Sequence, residues 1–321
     1  MRIVLTLTAR DEADLIDTHL RYHFEAGVDF VIATDHRSSD GTTELLESYE
    51  RDGRLHLIRR GEQAFRQAEW VNEMARLAAT RFDADWVINA DADEFWWPHG
   101  GTLREVFAST PAAYGAIRGI WRHFVPRPET DEPFYERMVV RREPARDPVD
   151  PYCANAKVVH RAVPDIVVSL GNHDASASGV VLLRDWVPFE ILHFPIRSRE
   201  QLERKYVTGR SSRLLAGPEM VPRHMTQMAE ELRRGADEVY RRLVVDGVEL
   251  EVGLASGFLS VDTRLRDWLH GDSTATRSVA DDVEFAEEVD AMFSLDSSVR
   301  LVERVNTFEQ RLAAVEAKGG R

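Results

Sequence analysis

Apolar and polar positions change period along the chain in a regular order. Residues 2–7 (RIVLTL), 29–35 (DFVIATD), 54–59 (RLHLIR) and 85–91 (DWVINAD) are short apolar runs of β type. Between them the apolar residues recur at helical spacing. Leu15, Ile16, Leu20 and Phe24 form one set behind Asp11 as cap, Leu45, Leu46 and Tyr49 a second, and Trp70, Val71, Met74, Leu77 and Ala78 a third. Strand and helix alternating in this way predict an α/β fold: a mostly parallel sheet with right-handed crossovers and helices on its faces. Ligands of such sheets bind at the carboxyl ends of the strands, which directs attention to Thr8 to Glu12, Asp35 to Thr42 and Asp91 to Phe95.

From 113 to 194 the runs AYGAIRGIW, MVVRR, AKVVHR, DIVVSL, GVVLL and FEILHF follow one another with little helical periodicity. They predict mixed or antiparallel strands that complete the sheet and carry substrate loops. Ser198 and Gln201 have capping-box spacing, and helical character dominates beyond them. The polar stretch 271–281 reads as a linker or long loop. Leu301, Val305, Phe308, Leu312 and Val315 then define a C-terminal helix, too short to assert a coiled coil but able to pair two copies of the chain. The expected organisation is a catalytic domain over 1–200, a helical extension shaping the acceptor side over 201–270, and a linker with a terminal helix over 271–321.

Composition narrows the function classes. With 43% hydrophobic residues, the 321-residue chain has material for a full core. A net charge of −14 argues against nucleic acid or anionic lipid as a general partner. One cysteine, Cys153, leaves no disulfide framework or cysteine-rich zinc site, and its surroundings suit a small buried thiol rather than a nucleophile. No run approaches the roughly 18 apolar residues of a spanning helix, and no leader is evident, so a soluble cytoplasmic protein is expected.

The segment D-W-V-I-N-A-D-A-D-E-F-W-W-P carries the clearest chemistry. A strand there ends in Asp91, Asp93 and Glu94, and alternation along an extended loop would let Asp91 and Asp93 converge. Clustered carboxylates repel unless a cation lies between them, and hard oxygen donors with open positions suit Mg2+ or Mn2+ bridging to a phosphate. Trp96 and Trp97 would either wall a sugar or base pocket or belong to the core. In D-H-R-S-S-D-G-T, Asp35 is placed to accept hydrogen bonds from a ribose or base, and the turn that follows brings backbone close to ligand. Thr8, Arg10 and Glu12 occupy the same rim. His19 and His23 share a helix face, but Leu20 stands where a zinc-protease pattern needs Glu, so packing is their expected role.

Taken in order, A-R-D-E-A-D-L-I-D-T-H-L-R-Y-H-F-E-A-G-V-D, D-H-R-S-S-D-G-T and D-W-V-I-N-A-D-A-D-E-F resemble family 2 glycosyltransferases of the GT-A fold, nearest the bacterial branch whose motif ends in D-x-D-E-F. His193, Phe194, Arg197, Ser198, Lys205 and Gly209 match the later segment of that pattern, so the resemblance spans roughly residues 1–210. It implies transfer of a sugar from a nucleoside-diphosphate donor to a hydroxyl acceptor, with inversion and with a divalent metal. Carried over by position, Thr8, Glu12 and Asp35 would line the nucleoside pocket, Asp91 and Asp93 would hold metal and diphosphate, and His193 would be a further metal ligand. Arg10-Asp11 departs from the usual first motif, and Phe194 stands where Tyr is common.

Between 191 and 215 six cations (Arg197, Arg199, Arg204, Lys205, Arg210, Arg213) face only two acids, Glu200 and Glu203. Clustered cations on a helix suit a leaving diphosphate, with Lys205 and Arg210 the preferred contacts. Inverting transfer further needs a base for the acceptor hydroxyl. The carboxylates available between the metal motif and His193 are Glu136, Asp150, Asp174 and Glu190. Asp174, in the turn G-N-H-D-A, is the first choice and Glu136 the second. A sugar-1-phosphate nucleotidyltransferase and a non-catalytic nucleotide- or carbohydrate-binding module are the competing readings; T-A-R-D-E-A-D lacks the Gly-rich basic loop that the former needs.

Overall fold

The computed structural model describes residues 1–143, 156–184 and 186–272, all within a unit spanning Met1–Thr276. The first half follows the predicted alternation to within two residues at each strand end. Its elements are β1 (Ile3–Ala9), α1 (Ile16–Glu25), β2 (Phe30–His36), α2 (Thr42–Arg51), β3 (Leu55–Arg60), α3 (Gln67–Arg81) and β4 (Trp86–Asp91). Period-two alternation on β1 sends Ile3, Leu5 and Leu7 into one core with α1, while Val4 joins α3 in a second core on the opposite face. Helices therefore cover both faces. The cap of α1 differs from expectation: its N-cap is Leu15, because the Asp11 carboxylate accepts the Ser39 N–H at 2.8 Å and ties the first loop to the second.

The second half adds β5 (Glu94–Pro98), α4 (Leu103–Ser109), β6 (Ala116–His123), α5 (Phe134–Arg137), β7 (Val140–Arg142), β8 (Ala156–Arg161), β9 (Val167–Val168), β10 (Ala175–Ser176), β11 (Leu182–Leu183) and β12 (Phe189–His193). The main sheet runs β3-β2-β1-β4-β8-β6-β12-β5, with β11 on β6. From β3 to β4 it is parallel, and β8 then enters antiparallel between β4 and β6. The α/β class holds, with a mixed second half. Strand β5 begins directly after the Asp91–Asp93 turn and pairs antiparallel with β12. The acidic motif is thus a tight strand-to-strand turn rather than an extended loop.

The helical extension consists of α6 (Arg199–Glu203), one π-turn over Arg204–Thr208, α7 (Gly209–Ala216), α8 (Arg223–Leu243), α9 (Gly247–Ser256), β13 (Leu259–Val261) and α10 (Arg264–Leu269). Ser198 caps α6 as predicted, its side chain accepting the Gln201 N–H at 3.1 Å. Ile196, Leu202, Tyr206, Met225, Leu232 and Tyr240 form its own small core. No described helix is long and apolar enough to cross a membrane. Asp150, Cys153 and the apolar repeat from Leu301 to Val315 lie outside the described residues.

Remote from the cavity described below, α10 and β13 are fastened to the sheet by buried charge. Glu190 on β12 is fully buried and pairs with Arg122 of β6 and, at 2.5 Å, with Arg264 of α10. Arg264 also grips Asp262 at 2.6 Å, and Asp262 meets Arg141 of β7 at 3.1 Å. Burial would raise the Glu190 carboxyl, but Arg122 and Arg264 outweigh it and hold the group well below the usual range. This engagement gives Glu190 a structural role. Breaking a buried pair from one side leaves an uncompensated charge, so Glu190→Ala should cost about 3–5 kcal/mol. Urea denaturation with the midpoint and slope fitted separately measures the loss; a midpoint within error of wild type would refute it.

Candidate functional site

The carboxyl ends of β1 and β4 are flush, with Thr8 in register with Asp91, and Ala9 with Asp35 on β2. On the far side of the sheet Glu94, His193 and His123 lie side by side on β5, β12 and β6. Between these edges opens a cavity of about 520 Å³, roofed by the α6–α7 helix and α8. Its walls include Thr8, Arg10, Glu12, Asp91, Asp93, Glu94, His193 and Lys205.

The carboxylates are held apart by lysines. Lys157, on β8 and only 1% exposed, donates to Asp91 at 2.7 Å and to Glu94 at 2.8 Å. Burial pulls its ammonium down, but the two carboxylates outweigh this and raise it above the usual lysine range. Asp91 also accepts from Gln67 at 2.7 Å, at the start of α3. Glu94 takes a 2.9 Å bond from the Trp121 indole N–H and a 3.2 Å bond from the Asp91 N–H. Burial, with Asp91 and Asp93 near, nevertheless pushes its carboxyl up to about 8 against the pull of Lys157. Asp93 turns the other way. It accepts from Lys205 at 2.6 Å and faces His193 Nε2 at 3.5 Å; Lys205, with His193 beside it, outweighs burial and holds it well below the carboxylate range.

Lys205 reaches Asp93 from the π-turn, a local widening of the helix that recurs at functional sites. The helix is pinned over the cavity at its other end: Arg10 donates to Ser212 Oγ at 2.6 Å, and the Phe65 N–H donates to the Ser212 carbonyl at 3.0 Å. Arg213 lies over the Phe65 ring, 4.4 Å from its centroid, with no hydrogen bond or ion pair from its guanidinium among the described residues. Burial lowers it, and its charge faces the cavity. Arg197, fully buried, is instead consumed by Glu12 and by Asp14 at 2.6 Å, fixing the first loop to the segment after β12. Burial pushes the Glu12 carboxyl up to about 7, opposed by Arg197.

Of the residues singled out in the sequence, Thr8, Arg10, Glu12, Asp91, Asp93, His193 and Lys205 converge on this cavity. Asp35 does not line it. It is buried one strand over, with Ser38 Oγ (2.5 Å) and Thr43 Oγ1 (2.8 Å) donating to its two oxygens. Arg210 does not line the cavity; although three residues place it on nearly the same helix face as Arg213, it turns to Thr226 Oγ1 at 3.4 Å. Glu136 pairs with His270 Nε2 at 2.6 Å, outside the cavity. Asp174 is exposed, its Oδ1 taken by the Ala175 N–H at 3.0 Å, while its neighbour His173 lines the cavity wall. Trp96 is core, packed edge-on to Phe189, and Trp97 stacks on Tyr22. His23 accepts the Trp96 N–H at 3.3 Å, a packing role as expected.

The sequence reading missed Lys157, Trp121, His123 and Gln67. Only Lys157 left a signal: a lysine on the face it shares with Val159, beside the apolar pair Val158–Val159, has no route to solvent and must meet buried acid.

The glycosyltransferase family 92 profile matches residues 8–177, more than half of the chain and the whole β1–β8 part of the cavity. The chain belongs to glycosyltransferase family 92. The sequence motifs had pointed to glycosyltransferases by way of family 2. Among solved structures this family 92 chain is similar to residues 1–349 of S. aureus TarS in complex with UDP, at 12% identity over 72% of this chain and 70% of that one, with a TM-score of 0.36. It is also similar to glucosyl-3-phosphoglycerate synthase from Mycobacterium tuberculosis in complex with Mn2+, uridine diphosphate and glucosyl-3-phosphoglycerate, at 20% identity over 39% and 44% of the chains and a TM-score of 0.25. No curated protein matches its sequence.

Lys157→Met should leave Asp91 and Glu94 uncompensated and cost about 3–5 kcal/mol at pH 8. The cost should shrink toward pH 5, where the freed carboxyls take up protons that the unfolded chain binds less readily. Urea midpoints across that range test the sign; a penalty that grows on acidification would be contrary to it.

Proposed function

We propose that the chain transfers a sugar from a nucleoside-diphosphate donor to a hydroxyl acceptor, with inversion at the anomeric carbon and a GT-A-like use of the acidic motif. The observation that carries this reading is the meeting, in one cavity at the strand ends, of the Asp93–Glu94–His193 cluster with the cations Lys205 and Arg213. Carboxylates and cations gathered in one cavity in this way match a metal-bound diphosphate. Cytoplasmic action and pairing of copies through the C-terminal helix remain part of the proposal, as does a kinship with the D-x-D-E-F branch of family 2.

A divalent ion fits the residues present. One ligand atom each from Asp93, Glu94 and His193 lies within 4.8 Å of the others. His193 Nδ1 is 2.9 Å from His123 Nδ1, which fixes the ring so that Nε2 faces Asp93. Two carboxylates and one imidazole suit Mn2+ or Mg2+. Asp91, engaged by Lys157 and Gln67, holds the turn and is better placed toward the donor than toward the ion. Such an ion, when bound, neutralises charge on the diphosphate. Lys205 and Arg213 would meet phosphate oxygens from the helix side, stabilising charge that develops as the diphosphate leaves. Thr8, Arg10 and Glu12 border the nucleoside end, and Asp35 supports them through the loop it braces. Burial of the cavity under the α6–α7 helix keeps water from competing with the acceptor.

Two results would follow. A panel of UDP- and GDP-sugars with Mn2+ should show release of nucleoside diphosphate, lost by at least 100-fold in Asp93→Asn and by chelation. Pyrophosphate formed from a nucleoside triphosphate would favour a nucleotidyltransferase instead, and saturable binding without any product would favour a binding module. Arg213→Gln should weaken UDP or GDP binding by about tenfold, the scale of one charge-assisted contact; unchanged affinity by calorimetry would remove Arg213 from the donor site.

A further inference from the structure

The cavity holds more carboxylates than free ones. Asp91 and Glu94 are claimed by Lys157, Asp93 by Lys205, and Glu12 by Arg197. Asp11 accepts from the Ser39 N–H, and Glu231 on α8 pairs with Arg242. Each of these carboxylates therefore already holds a cation or a backbone N–H in this structure.

His173 is differently placed. Its Nδ1 lies 3.0 Å from the Ala156 carbonyl oxygen, so Nδ1 carries the hydrogen and Nε2 keeps its lone pair. Nε2 has no hydrogen-bond partner among the described residues, and the ring stands edge-on to Trp121 in the cavity wall, 5.6 Å between centroids. The backbone is bent to put it there. Gly171 (φ 76°) and Asn172 (φ 62°) are successive left-handed residues, and a Cβ at Gly171 would come within 2.7 Å of His173 Nε2. Asn172 is 1% exposed, and neither of its side-chain polar atoms is bonded among the described residues. His173 enters the cavity wall from the β9–β10 connection, against Trp121, whereas the cavity's other candidate, His224, lies on α8 in the roof that also carries Lys205 and Arg213. His173 is therefore carried by a different part of the fold from the roof helices whose cations are assigned to the diphosphate, as the base for an in-line attacking hydroxyl has to be.

We propose that His173 is the general base of the transfer: Nε2 takes the acceptor hydroxyl proton while the acceptor oxygen bonds to the anomeric carbon, and the bond from that carbon to the diphosphate oxygen breaks with its electron pair. The assignment rests on the donor reading above and replaces Asp174, one residue on. The charged groups that face the ring are Lys157 on β8 and Asp91 at the end of β4. Burial and Lys157 lower the imidazole below its ordinary value, so it is neutral and competent at pH 7, and Asp91 stands near to balance the imidazolium that forms.

His173→Asn and His173→Gln separate the possibilities, since the Asn amide can still donate to the Ala156 carbonyl while offering no base. Calorimetry with UDP and GDP, in the presence of Mn2+, reads donor binding. Nucleoside diphosphate released from UDP-glucose, UDP-N-acetylglucosamine and GDP-mannose, with water and free monosaccharides as acceptors, reads turnover. Both variants should bind within about twofold of wild type, turn over about 10²–10⁴-fold more slowly, and lose the acid limb of the pH–rate profile. Partial return of His173→Ala activity with added imidazole would support the same role. Turnover within threefold of wild type, an acid limb that persists, or binding that falls in step with turnover would each overturn the assignment. Wild-type protein that binds neither UDP nor GDP would overturn the donor reading itself, and with it this inference.

Discussion

Three carboxylates packed into four consecutive positions at the end of a buried strand are unstable unless cations reach them, and the site is organised around that requirement. Lys157 answers it from β8, and Lys205 answers it from a helix nearly fifty residues further on. The cost of burying a charge unpaired is several kcal/mol, more than most single contacts in a protein contribute. The path of the chain after β6 follows from it: β8 must enter the sheet antiparallel beside β4 to deliver a lysine, and the α6–α7 helix must widen into a π-turn to deliver the other.

The same electrostatics divide the cavity. The acidic floor and the cationic helix face one another, and Trp121, stacked on His193 at 4.7 Å and lying under Lys157 at 4.9 Å, separates the metal-ligating row from the His173 wall. Each wall is held by groups outside the cavity. Arg197 fastens the first loop, Ser212 fastens the helix, and the Glu190 network fastens β6 and β12 from behind. A site assembled from so many separate strands and helices has no local source of rigidity, so these distant pairs supply it.

Much of this is legible in the sequence. The β/α alternation located the first four strands, and the rule that ligands gather at strand ends then singled out Thr8, Glu12, Asp91 and Asp93. The cationic segment after β12 was visible from composition alone. What was not legible concerns direction. Arg210 and Arg213 are equivalent in sequence and lie three residues apart on nearly one helix face, yet Arg213 packs over Phe65 and Arg210 turns to Thr226. Asp174 and His173 are adjacent, and the two left-handed residues before them decide which enters the cavity. Asp35 has the right strand position but spends both oxygens on Ser38 and Thr43.

By itself the sequence determined the α/β class, the strand ends where chemistry belongs, and the kinds of group present. These follow from local periodicity and from side-chain chemistry, which need no knowledge of distant neighbours. Tertiary structure alone decided which charges cancel, which nitrogen of His173 is free, and which cation faces the cavity. Those outcomes depend on pairs separated by tens to hundreds of residues, and a few ångströms of distance within a buried, poorly screened interior settle whether two charges pair or repel.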